Sequence, residues 1–111
     1  MHSVGALGEF EQIVLLAILQ TGDGVYGVPI VEEIERRTGR HVAPAAVHIT
    51  LRRLESKGLV TSWLGDPTPE RGGKARRHVK ITRTGLEGLR ASRKVIDQMW
   101  QGLDLDLRGL R

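Results

Sequence analysis

The chain has 111 residues, 40% of them hydrophobic and 27% charged, with no cysteine. That length matches one small domain, and the lack of thiols excludes a disulfide framework, a thiolate zinc site and a cysteine nucleophile. The longest apolar run, Ile13 to Leu19, falls short of the roughly 20 residues a membrane-spanning helix needs, and Glu9 and Glu11 precede it where a secretory signal would carry bases. A soluble, cytoplasmic protein is the expectation.

The net charge of +4 conceals a partition. Residues 1–35 hold six acids and no Lys or Arg, residues 36–94 hold fifteen bases against four acids, and residues 95–111 sum to −1. The segment charges are therefore −6, +11 and −1. Thirteen of the seventeen bases are Arg, whose planar fork suits phosphate oxygens and guanine edges better than an ammonium does. A basic stretch alone is more often a solvated face than a binding surface, so its meaning depends on the elements that carry it.

From Gly8 to Gln20, Phe10, Ile13, Val14, Leu16, Ala17 and Leu19 recur at helical spacing and predict a mostly buried first helix, ended by Thr21-Gly22-Asp23-Gly24. Val25-Tyr26-Gly27 predicts a very short extended segment. A second helix opens near Pro29, with Glu32, Glu33 and Glu35 read as an early acidic cluster, Arg36 and Arg37 late, and Gly39 as its terminator.

A third helix runs from Pro44 to Ser56 or Lys57 and is closed by Gly58. Val47, Leu51 and Leu54 mark its buried stripe. At 100° per residue Ala45, Ile49, Arg52 and Ser56 fall on the opposite side, with Arg53 beside them and His48 and Thr50 on the flanks. Short side chains at Ala45 and Ala46 would let this face enter a groove closely.

Leu59–Leu64 and Arg76–Thr82 alternate as two strands of a hairpin. Between them, residues 65–75 contain two prolines and three glycines, which make a long tip rather than a core. Arg71, Lys74, Arg76 and Arg77 concentrate charge around it. Thr82 is placed to cap a final helix from Arg83 to about Leu103. There Leu86, Leu89, Ile96, Trp100 and Leu103 follow a heptad rhythm with Arg93 at one position, and Val95 and Met99 widen the stripe. An apolar stripe of this kind predicts a subunit contact, with Trp100 as its anchor and as the candidate contact for a flat aromatic effector. Residues 104–111 read as a flexible tail.

Three helices, a hairpin and a fourth helix describe a winged helix-turn-helix, mainly α with one small β-hairpin. A helix about 10–12 Å across fits the major groove, and a basic loop beside it reaches the neighbouring backbone. The candidate DNA contacts are Ala45, Ala46, His48, Ile49, Thr50, Arg52 and Arg53 on the third helix and Arg71, Lys74, Arg76 and Arg77 on the wing. The competing reading is a winged-helix module that docks on protein or RNA, for which a charge of +11 over residues 36–94 has less purpose. His2, His41, His48 and His78 lack metal-ligand spacing, Gly72-Gly73 lacks the strand-to-helix setting of a phosphate loop, and no acid, base and nucleophile assemble. The expectation is no metal, no cofactor and no enzymatic activity.

Leu15 to Leu19, Tyr26-Gly27-Val28-Pro29-Ile30, the run from Pro44 to Val60, Gly72 to His78 and Ile81-Thr82-Arg83-Thr84-Gly85 together resemble the PadR family of bacterial transcriptional regulators. The resemblance extends over residues 8–103 and keeps the family's motif order. It implies a homodimeric repressor on a palindromic operator, with residues 8–82 as the DNA-binding domain and residues 83–103 as a dimerisation helix that sometimes helps to form an effector pocket. Because the chain stops soon after its fourth helix, it looks like the short type. Three positions depart from the pattern: Ala43 stands where a capping Ser is frequent, His48 where Tyr is common, and His78 where the wing strand often carries an aromatic residue.

Overall fold

The computed structural model describes residues 7–66 and 75–105. Its elements run in the order α1 (Glu9–Thr21), α2 (Gly27–Thr38), α3 (Pro44–Ser56), β1 (Val60–Leu64), β2 (Arg77–Ile81) and α4 (Arg83–Trp100). This is the winged helix-turn-helix arrangement expected from the sequence.

The three N-terminal helices pack on one another around Val14, Leu15, Ile18, Ile30, Ile34, Val47 and Leu54. Glu11 helps to start α1 by accepting the Gly8 N–H at 3.0 Å, the reach-back half of a capping box. Its other oxygen accepts from Lys57 Nζ at 2.7 Å, so one nearly buried carboxylate ties the start of α1 to the end of α3. Burial raises the Glu11 pKa. The Lys57 and Gly8 hydrogen bonds and the charges of Lys57 and Arg53 outweigh it, leaving the carboxyl below its ordinary range.

In α2 the acids lie in the middle of the helix rather than in its first turn, because the helix opens at Gly27. Glu33 pairs with Arg36 and Arg37 on the following turn, and Glu35 accepts the Val42 N–H at 2.9 Å. The helix ends at Gly39, whose φ of 69° is left-handed and whose N–H bonds Glu35 O, a conformation that costs glycine least.

The strands pair antiparallel, Val60 with Ile81 through Leu64 with Arg77. The extended segment expected around Val25 exists as a bridge to Val79, with Gly24 N–H bonding Val79 O and Val79 N–H bonding Val25 O. The hairpin is thereby fastened to the α1–α2 connection. Thr82 caps α4 by accepting the Gly85 N–H at 3.0 Å and donates to Gly58 O at 2.8 Å.

Two expectations for α4 change. The helix ends at Trp100 and a turn follows at Gln101-Gly102, so Leu103 leaves the helical stripe. Leu89, expected at a subunit contact, is only 8% exposed. It belongs to the core because the first turns of α4 lay Gly85, Gly88 and Leu89 against the body of the domain.

Candidate nucleic-acid interface

Helix α3 begins without a side-chain cap, since Ala43 has no oxygen to offer, and Pro44 supplies a preset first turn instead. Its outer face holds Ala45, His48, Ile49, Arg52 and Arg53, all exposed, with Ala46 half-buried. Thr50 is the exception. It is 5% exposed, so the flank assigned to it on a helical wheel is in fact inside. The buried stripe is Val47, Thr50 and Leu54, spaced three and four residues apart, while Leu51 is left half-buried on the other flank. A wheel fixes the spacing of a stripe but not which of two neighbouring flanks the adjoining helix covers.

The base of the hairpin meets the end of α3 through side chains. Arg77 Nη1 donates to Ser62 Oγ at 3.0 Å, and Ser62 donates in turn to Glu55 Oε2 at 2.8 Å. This chain runs from cation through hydroxyl to carboxylate and links β2, β1 and α3. The Arg76 guanidinium lies over the Tyr26 ring, 4.3 Å from its centroid. His78 sits edge-on to Tyr26 with centroids 6.0 Å apart and stacks with Trp63 at 5.9 Å. Its Nδ1 lies 2.6 Å from Gly24 O. A carbonyl can only accept, so Nδ1 carries the proton and His78 is committed to the scaffold. Arg71 and Lys74 lie outside the described residues.

The roles of these partners are not visible in the motifs that contain some of them. Ser62, Tyr26 and Trp63 are ordinary residues in sequence, and the one available signal is strand alternation, which places Ser62 across from Val79 and Trp63 across from His78.

Three acids of the N-terminal segment are spent on particular bases. Glu33 holds Arg36 and Arg37, Glu9 holds Arg40 at 3.0 Å, and Glu11 holds Lys57. Among the described residues, no carboxylate lies within ion-pair distance of Arg52, Arg53, Arg76 or Arg77. Lys80, Arg90 and Lys94 have no ion pair among the described residues either, so the uncompensated positive charge covers α3 and the hairpin and extends along α4.

Beyond Leu89 no residue of α4 is buried. Val95, Ile96, Met99 and Trp100 are exposed, Trp100 at 52%, and Leu86 and Leu103 are exposed as well. Arg93 turns to Asp97 one turn on, at 3.4 Å. Leu16 and Leu19 of α1, expected inside, are also exposed. No group of three or more metal-ligating side chains occurs among the described residues, and no described helix is long and apolar enough to cross a membrane.

Comparison with known proteins agrees with this architecture. An uncharacterized protein of Lysinibacillus sphaericus is 30% identical over 105 residues, covering 93% of this chain and 92% of its own. A transcriptional regulator from Clostridium thermocellum has the same fold with a TM-score of 0.68 at 18% identity, over 91% of this chain and 92% of that one. A PadR family transcriptional regulator from Eggerthella lenta superposes with a TM-score of 0.65 at 26% identity, over 85% and 81% of the two chains. The model of the transcriptional regulator PadR-like family matches residues 15–91, which include the second half of α1, α2, α3, the hairpin and the buried start of α4, and the chain belongs to that family.

Proposed function

We propose that the protein is a cytoplasmic homodimeric repressor that binds a palindromic operator, with α3 in the major groove and the wing on the flanking backbone. The observation that carries this reading is that, among the described residues, no carboxylate lies within ion-pair distance of Arg52, Arg53, Arg76 or Arg77, on two elements joined by the Glu55–Ser62–Arg77 bonds. Arg52, Arg53 and Arg77 are exposed and Arg76 is half-buried; arginines without an ion-pair partner are available to phosphates, and Ala45 and Ala46 place little bulk between α3 and a groove wall. Arg52 and Arg53 supply phosphate contacts, His48 and Ile49 approach the bases, and Arg71, Lys74, Arg76 and Arg77 serve the wing. Thr50 is withdrawn from this set because it is buried.

In this reading residues 8–82 bind DNA and residues 83–103 dimerise, followed by a flexible tail. Leu86, Arg93, Ile96, Met99, Trp100 and Leu103 belong to the seam, where a flat aromatic effector would stack on Trp100. Exposed apolar side chains along α4 and at Leu16 and Leu19 of α1 support a second copy as the cover. Leu89 supports the seam only from the core beneath it.

Selection of bound fragments from random duplex DNA with the purified chain tests the proposal. The expected product is a sequence with twofold symmetry and half-sites about 34 Å apart. Recovery of fragments without any shared sequence, or of single half-sites, would overturn the operator assignment.

A further inference from the structure

We propose that the groove between α2, α3 and the hairpin base is a binding site for an amphiphilic organic anion, an aliphatic chain ending in a carboxylate. The groove has a volume of about 430 Å³, within the roughly 300–1,000 Å³ typical of small-molecule sites. Its apolar wall is largely aliphatic, Val28 and Val31 from α2, Leu51 from α3 and Val79 from β2, with Tyr26 and His48 lining it as well. Val79 is buried, Val31 and Leu51 are half-buried, and Val28 is 57% exposed, so an apolar chain laid here would remove surface that the fold itself leaves wet. Leu51 faces the groove because α3 turns Thr50 inward in its place.

The charge of the rim selects the head group. Arg52, Arg76, Arg77, Glu32 and Glu55 all line the groove. Glu55 and Arg77 are engaged with each other through Ser62. Among the described residues, what is left is two guanidiniums, Arg52 and Arg76, against the carboxylate of Glu32. Arg76 is held over Tyr26, so part of the ordering cost of gripping a carboxylate is already met in the free protein. A cationic amphiphile would meet the same apolar wall under two like charges.

This site is separate from the exposed Trp100 on α4. Its occupation bears on DNA binding because Arg52 and Arg76 would serve both ligands, and that consequence alone rests on the repressor reading. Anion in the groove and DNA on α3 should exclude each other.

The test is calorimetric titration of the full chain with octanoate below its micelle concentration, with octanol and octyltrimethylammonium as matched neutral and cationic probes. Saturable binding of one octanoate per chain is expected, at least about tenfold tighter than either control, since a lost charge pair of this kind is worth roughly that factor. Val28→Glu and Arg52→Gln change exposed positions, and a new acid in the first turn of α2 favours the helix, so both variants should fold, as circular dichroism would verify. Each should weaken octanoate about tenfold. Absence of saturable binding, equal affinity for the cationic probe, or unchanged affinity in both folded variants would overturn the site. Displacement of labelled duplex by octanoate is measured separately by fluorescence anisotropy. If the chain binds no DNA, calorimetry still decides the groove, and if DNA binds but is not displaced, only the exclusion fails.

Discussion

Replacing Gly85 with alanine sets helix propensity against packing. In a solvated helix, Gly→Ala stabilises by about 1 kcal/mol. At position 85 an added Cβ would lie 2.3 Å from Leu59 O and 2.7 Å from Ile81 Cγ1, whereas a carbon and a carbonyl oxygen ordinarily stay about 3.3 Å apart or more. α4 and the β1 approach would have to separate by about 1 Å. The same Leu59 carbonyl accepts the Thr82 N–H at 3.0 Å, so the separation also strains the hydrogen bond that precedes the α4 cap. Overpacking of this kind costs about 1–3 kcal/mol, the strained bond adds about 1, and the propensity gain offsets about 1, leaving a net loss of about 2 kcal/mol. For a domain of this size that is a fall of about 10 °C in Tm. Thermal unfolding followed by circular dichroism measures it, at one fixed chain concentration because association would shift the midpoint. A Gly85→Ala protein as stable as the parent, or more so, would show that α4 does not approach β1 this closely.

Other perturbations address the remaining contacts. Arg76→Ala with Arg77→Ala should weaken binding to all duplexes alike and flatten the slope of log affinity against log salt by about 2, as anisotropy titrations across salt would show; an unchanged slope removes these residues from the backbone contacts. Trp100→Ala should shift dimer toward monomer in analytical ultracentrifugation, and an undisturbed dimer would take Trp100 out of the seam. Glu11 has a depressed folded pKa, so its contribution is present above the unfolded carboxyl range and is lost as pH falls through the folded value. Stability should therefore decline on acidification below about pH 5. Lys57→Met should cost about 1–2 kcal/mol in urea unfolding at pH 7, and the gap should narrow toward pH 3.5, where protonation would relieve the unpaired carboxylate. A gap constant with pH would refute the pairing.

The order of elements was legible because each boundary carries its own chemistry: Gly39 after the last periodic residue of α2, Pro44 at the start of α3, Thr82 before α4. What escaped the sequence depends on neighbours distant along the chain. Thr50 and Leu51 are adjacent, and only the docking of α3 decides that the polar one goes in and the leucine lines the groove. Leu86 and Leu89 fit one heptad, yet the small residues Gly85 and Gly88 draw the 89 side onto the core and leave the 86 side exposed. The basic face was legible as composition. Its pairing was not, because which acids neutralise which arginines is a matter of distance, as with Glu9 reaching Arg40 across 31 positions.

The fastening of the hairpin base has a consequence for how the family can vary. The rungs close with Gly65 N–H on Arg76 O at 2.8 Å, and inward of that rung the strands are secured by Val25, Gly24 and Glu55. Residues substituted or inserted between 66 and 75 would leave every one of those bonds intact, and longer surface loops add little entropic cost. The base is thus a socket that accepts interchangeable tips, so the length of the hairpin can be altered without displacing α3.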